Sequence, residues 1–168
     1  MHEIGESVVY GQNGVMTIVD IRNESVEGEE RLYYVLRGVR SSLDSLIFIP
    51  CDNGELVGKV RPLATKEEID EAISYAASAP EQEWIDDIRA RSSHFKRIIE
   101  TGTRGELLVM ILSARRRAKK RESEGIRANL SDEIFIRKAE ERLFSEMAIV
   151  LGIDYGEVEE YIIKRLNS

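Results

Sequence analysis

Up to about residue 60, apolar and polar positions alternate in short runs, the period of β-strands. "SVVY" is followed by "GQNG", residues 11–14, where Asn13 and Gly14 tolerate the positive φ of a tight turn. "VMTIVDIR" then alternates, with Val15, Thr17, Val19 and Ile21 on one face and Met16, Ile18, Asp20 and Arg22 on the other. A polar loop, "NESVEGEE", leads into "RLYYVLRGV". In "SLIFIP", Ile47 and Ile49 point one way and Leu46 and Phe48 the other. Pro50 cannot donate a ladder hydrogen bond, so it marks an edge or a strand end. "CDNG" is a further turn and "ELVGKV" a last short strand. Short strands with closely spaced turns predict a small antiparallel β-barrel or a strongly bent sheet.

After Arg61-Pro62 the period changes to that of helices. "TKEE", residues 65–68, is a capping box that opens a helix running to about Ala77. "SAPE", residues 78–81, reads as a break and restart, since Pro80 suits the first turn of a new helix. That helix would carry Trp84, Ile88, Phe95 and Ile99 on one face and stop at Gly102. "TRGE", residues 103–106, is a second capping box before "LLVMIL" and the run "RRRAKKR", residues 115–121. Ser131 is the expected N-cap of a helix through Val150, with Ile136, Ala139, Leu143, Met147 and Val150 on its buried stripe. Gly152 ends it, and a short helix from "DYGE" closes the chain. The expected fold is α+β: a small β-barrel over residues 1–62, then an all-helical domain over 63–168.

Composition is ordinary for a folded domain, and "LLVMIL", the longest purely apolar run, is far too short to span a bilayer. No membrane role is expected. "MHEIGES" has no basic region leading into an apolar stretch, and Cys51 has no partner for an internal disulfide. Both point to the cytoplasm. Charge adds more. The chain carries a net −7, yet residues 84–127 hold 12 Lys/Arg against 6 Asp/Glu. Every flanking segment is acidic. A protein of this sign is a poor nonspecific polyanion binder, but a local basic patch can still meet phosphates.

The chemistry of catalysis finds little support. His2 and His94 fall in different domains without a metal-ligand cluster. "GELVGKV" has three residues between its glycines instead of four and Val60 where a metal-binding Ser or Thr is needed, so it is no phosphate loop. No cofactor or metal is expected. The barrel reads instead as a binding module whose edge strands offer unpaired N–H and C=O groups. Trp84, the sole tryptophan, has two readings. It is a core anchor, or it is a wedge beside Arg89, Arg91, Lys96 and Arg97, the pairing that minor-groove binding uses.

The whole chain resembles the CarD/CdnL family of bacterial transcription regulators. The likeness runs in order through "IGESVVYGQNGVMTIVDI", "YYVL", the strand ending in "IP", and "NGELVGKVRPL". It continues through the lone tryptophan, "IETGTRGELLVMIL" and "LSDEIFIRKAEERLFSEMAIVLG". The resemblance implies a Tudor-like N-terminal barrel that binds the RNA polymerase β subunit. It also implies a helical domain that binds promoter DNA at the upstream edge of the melted bubble and stabilises the open complex. On that basis DNA contact falls to Trp84, Arg89, Arg91, Lys96 and Arg97, and polymerase contact to Arg22, Glu24, Ile47, Phe48 and Ile49. Family members often place basic residues directly after the tryptophan, where this chain has Asp86 and Asp87. That departure implies weaker DNA contact, or a contact shifted toward Arg91 and Arg97. Phe48 stands where some relatives carry an arginine, which implies a more apolar polymerase interface. The run 115–121 is the alternative DNA patch. A monomer is expected, with a strand-exchanged dimer as the alternative. The competing class is a protein–protein adaptor that never touches DNA.

Overall fold

The structure, a computed structural model, describes residues 1–40 and 45–168. The chain divides into two compact units, Met1–Leu63 and Ala64–Ser168. The first is an antiparallel sheet and the second is helical, an α+β architecture.

The first unit runs β1 (Ser7–Tyr10), β2 (Val15–Val26), β3 (Glu29–Gly38), β4 (Leu46–Pro50), a single helical turn α1 (Gly54–Val57), and β5 (Val60–Pro62). The sheet order is β4-β3-β2-β1-β5. Val8, Ile18, Tyr34, Leu36, Ile49 and Val60, drawn from all five strands, share one buried cluster. A sheet whose strands all feed one apolar centre is curled around it. Strict alternation fails in β2, because the register to β3 shifts between Ile18 and Asp20. This bulge brings both Ile18 and Ile21 to the core and turns Asp20 and Arg22 outward.

Two expectations are corrected here. "NESVEGEE" is not a loop but mostly ladder, paired from Asn23↔Leu32 out to Val26↔Glu29. Its tip is Glu27-Gly28, both at positive φ (54° and 84°), the geometry of a type I′ turn. "ELVGKV" is not one strand. The Asn53 side chain accepts a hydrogen bond from the Leu56 amide (3.1 Å) and caps α1, so only Val60 onward joins the sheet.

The helical unit comprises α2 (Lys66–Ser78), α3 (Ile88–Thr101), α4 (Arg104–Ser123), α5 (Leu130–Leu151) and α6 (Val158–Leu166). Both capping boxes form: the Thr65 and Thr103 hydroxyls accept from the Glu68 and Glu106 amides, and those carboxylates accept from the threonine amides. The N-cap of α5 is Asn129, not Ser131; its side-chain oxygen accepts from the Ser131 and Asp132 amides. Ile73, Phe95, Leu108, Met110, Leu143 and Met147 centre the core, with Val150 packed at its margin. Each such side chain contributes roughly 1.5–3 kcal/mol on burial. Helices α4 and α5 are also joined by ion pairs, Arg104 to Glu146 and Arg115 to Glu133 and Glu140. No helix among the described residues is long and apolar enough to cross a membrane.

The helix expected from Pro80 does not form. Ala79 is extended, as the residue before a proline is constrained to be, and residues 79–86 run without regular structure. The helix starts late because Asp87 supplies the cap, its carboxylate accepting from the Ala90 amide at 2.8 Å. Trp84 therefore lies on a connector. Ile88, expected on the buried stripe, is exposed; that stripe is Arg91, Phe95, Ile98 and Ile99.

Candidate functional site

Trp84 is half-buried, and its indole packs on the margin of the helical core, edge-on to Phe95 at 6.3 Å between centroids. Two guanidinium groups lie over the ring, Arg117 at 4.4 Å and Arg91 at 4.6 Å from its centroid. Cation–π contacts of this kind contribute about 0.5–2 kcal/mol each. Trp84 also lines two surface notches. One, about 300 Å³, is lined by Phe95, Met110, Arg116, Arg117 and Lys120. The other, about 340 Å³, is lined by Ile88, Arg117, Arg121, Arg127 and Asp132.

The cations around Trp84 differ sharply in what they are free to do. Arg91 is 5% exposed. Its Nε and Nη2 donate to the Asp132 carboxylate (2.8 and 2.9 Å), and its Nη1 donates to the Ile85 and Asp86 carbonyls (2.9 and 3.2 Å). A phosphate reaches this group only by breaking those bonds, so the expectation of Arg91 as a DNA contact is corrected: it is a buried tie. Arg89, Lys96 and Arg97 are exposed on α3, at spacings that return to one side of the helix. Arg97 also bonds the His94 ring (3.2 Å). Burial, and then the charge of Arg97, hold the His94 imidazole below its ordinary range, so it stays neutral near pH 7.

The run 115–121 does not act as a unit. Arg115 is spent on Glu133 and Glu140, and Arg116 makes a long pair with Glu81 (3.5 Å). Arg117 covers the indole, with its Nε buried and lacking a hydrogen-bond partner among the described residues. Lys119 and Lys120 are exposed. The sequence treats this run and Trp84 as alternatives, whereas the fold sets Arg116, Arg117 and Lys120 beside the indole. Nothing local signals that meeting, because it depends on how α4 packs.

On the first unit, strand pairing gathers Asp20 and Arg22 of β2, Tyr33 and Val35 of β3, and Phe48 of β4 on the face opposite the core cluster. The Arg22 guanidinium stands 5.3 Å from the Phe48 centroid and pairs with Glu24 (2.7 Å) and Asp20 (3.4 Å). Tyr33 meets Phe48 edge-on at 6.2 Å. Phe48 remains 39% exposed on an edge strand, so it is available to a partner. Ile49 is not, at 0% exposed, and Ile47 packs on the same cluster. Their expected role in contact is corrected by the alternation of β4: the residues flanking Phe48 point inward. Tyr33 and Asp20 are the members sequence reasoning missed, because neither is adjacent to Phe48 until the strands pair.

Among the described residues no group of His, Cys, Asp and Glu side chains could hold a metal ion. Burial pushes the Cys51 thiol up, which keeps it protonated. What the molecule offers is surfaces. One carries an aromatic among cations, and the other an edge-strand aromatic beside a paired arginine of the central strand. Against known families, residues 2–63 match the model described as the CarD-like/TRCF RID domain.

Proposed function

We propose that this chain, whose residues 2–63 match the CarD-like/TRCF RNA polymerase-interacting domain, is a transcription regulator that holds RNA polymerase and promoter DNA together. The family supports polymerase binding and a role in transcription, through a module that is not an enzyme. The polymerase β subunit docks on the sheet face around Phe48, Arg22 and Glu24. The helical unit contacts the promoter at the upstream edge of the bubble and prolongs the open complex. Trp84 is the wedge, and the exposed cations Arg89, Lys96, Arg97 and Lys120 meet phosphates.

The observation that carries the DNA half is the setting of Trp84. A sole indole, half-buried and held between arginines beside further exposed lysines and arginines, suits a wedge flanked by phosphate contacts. Weak intrinsic affinity suffices, since a protein already held on polymerase meets DNA at high effective concentration. The test pairs two measurements. Trp84→Ala should leave capture of the β subunit intact and shorten the open-complex lifetime, while Phe48→Ala should weaken that capture. An unchanged lifetime in folded Trp84→Ala sinks the DNA reading.

The second reading, an adaptor that binds polymerase without touching DNA, is favoured by one observation. Both guanidinium groups over Trp84 must shift if a base is to stack on the covered faces of the ring. Footprinting of the upstream bubble edge with and without the protein separates the two; no change in footprint favours the adaptor.

A further inference from the structure

We propose that the buried Arg91–Asp132 pair is the positioning element that fixes Trp84 for DNA contact, and that neither residue touches DNA. This rests on the reading of Trp84 as the wedge. Past the Ala79 amide, which donates to the Tyr75 carbonyl at the end of α2 (2.9 Å), the connector 79–86 has no ladder or helix bonds among the described residues. Its described ties are few: the Gln82 amide donates to Ser113 Oγ at 3.4 Å, Glu81 makes a long pair with Arg116 (3.5 Å), Arg117 lies over the indole, and the Ile85 and Asp86 carbonyls accept from Arg91. One guanidinium thus grips the backbone directly after the indole and lies over the ring. Its other edge is clamped to α5 by Asp132, itself 6% exposed.

The chemistry of that clamp is specific. Only the planar fork of arginine reaches a carboxylate with two parallel bonds while a third nitrogen serves backbone carbonyls; lysine is a point charge and cannot. A buried pair of this kind is a poor source of net stability against apolar residues of similar volume. What it supplies is one defined conformation for a segment that otherwise has many. An indole that must be ordered at the moment of contact loses that ordering free energy from its affinity.

Positioning and direct contact predict opposite signs. If Arg91 served as a phosphate contact, Asp132→Asn would remove a competing negative charge and strengthen DNA binding, and Arg91→Lys would be tolerated. As a positioning pair, both substitutions loosen Trp84. The experiment uses the full chain with polymerase and a promoter, at a temperature where circular dichroism shows each variant folded. Because Trp84 is the only tryptophan, its emission reports the site directly. In the free protein, Asp132→Asn and Arg91→Lys should shift emission to the red and increase acrylamide quenching, with capture of the β subunit unchanged. Open-complex lifetime should fall roughly fivefold or more, as expected if about one residue of backbone must be reordered on contact. In a Trp84→Ala background Asp132→Asn should cause no further loss, which a merely structural lesion would not reproduce.

Stronger DNA contact in Asp132→Asn, full function in Arg91→Lys, an unchanged indole spectrum, or losses that add to those of Trp84→Ala would each overturn the proposal. Should Asp132→Asn fail to fold, Arg91→Lys carries the comparison alone. If Trp84→Ala itself leaves lifetime unaltered, the wedge reading falls, and the emission spectra then decide by themselves whether the pair holds the connector.

Discussion

Replacing Arg115 with Met tests whether the densest run of positive charge belongs to the fold or to a ligand. Methionine keeps most of the stem and removes the guanidinium. In the structure that group donates from Nε to Glu140 (2.5 Å) and from Nη1 to both oxygens of Glu133 (3.0 and 3.2 Å). Charge-assisted bonds of this type contribute about 1.5–3 kcal/mol each when buried, but exposed pairs only about 0–1. Arg115 is 33% exposed at the side chain and its partners 22% and 18%, which places the sum between those limits. The expected loss is about 2 kcal/mol, equivalent to roughly 8–16 °C in Tm for a unit of this size. Urea unfolding followed by Trp84 emission reads it from within the helical unit.

The pH dependence gives a second handle. Burial would raise the Glu133 carboxyl, but its bonds to Arg115, aided by Arg137, outweigh that and hold it below its ordinary value. A carboxylate depressed by folding contributes stability that is fully present above its unfolded pKa of about 4.5 and is lost as pH falls through the folded value. Arg115→Met lacks most of that contribution at every pH. The gap between the two proteins should therefore be widest near pH 7 and close progressively below about pH 4.5. DNA contact in the folded variant should be unchanged. A loss under about 0.5 kcal/mol, a gap independent of pH, or a selective loss of open-complex lifetime would refute the assignment of Arg115 to the fold.

Two further outcomes follow from other sites. Arg89→Ala and Lys96→Ala should each flatten the slope of log affinity against log salt by roughly 0.9 for the phosphate contact removed; slopes equal to wild type would move the DNA surface away from α3. Glu27→Asn should stabilise the first unit by about 0.5–1 kcal/mol, because Glu27 holds a φ of 54° at the tip of a type I′ turn and asparagine tolerates it better. Thermal unfolding of the sheet, followed in the far ultraviolet, measures that gain, and a lower Tm would show that the tip is held by something other than its own backbone.

The central parts of β1 to β4 and four of the helices were legible because period and punctuation agreed: alternation in the strands, capping boxes ahead of α2 and α4, and Gly152 at φ 67° behind α5. What escaped the reading has local physical causes. A bulge is invisible to alternation, because Val15, Thr17, Val19 and Ile21 look regular whether or not the register shifts beside Val19. Pro80 is compatible with a first helical turn but does not create one; Asp87 was the cap, with the Ala90 amide three residues on. For the candidate site, composition found Trp84 and the exposed cations of α3. It misread Arg91, although a signal existed in its spacing of four, seven and eight residues ahead of Phe95, Ile98 and Ile99, which puts it on the buried stripe. Its partner carried no signal at all. Asp132 lies 41 residues away and is reached only through the packing of α3 on α5.

The two carboxylates after Trp84 look out of place in the segment proposed to contact DNA until their bonds are followed. Asp87 turns its charge onto the N-terminus of α3, where unpaired amides carry partial positive charge and an anion is favoured. Asp86 contributes its carbonyl, not its carboxylate, to the grip of Arg91. Basic residues at these two positions would place positive charge at a helix N-terminus and give up the cap, loosening the connector that presents the indole. The sequence thus exchanges some attraction for phosphate against order at Trp84. That exchange is tolerable only if another surface supplies the missing affinity. Phe48 and Arg22 lie within residues 2–63, which match the CarD-like/TRCF RID domain, and on the proposed function a tether through that unit would raise the effective concentration of DNA without any additional contact. On the proposed function, the order at Trp84 and polymerase docking on the sheet are two parts of one requirement: a weak wedge must be both held in shape and held in place.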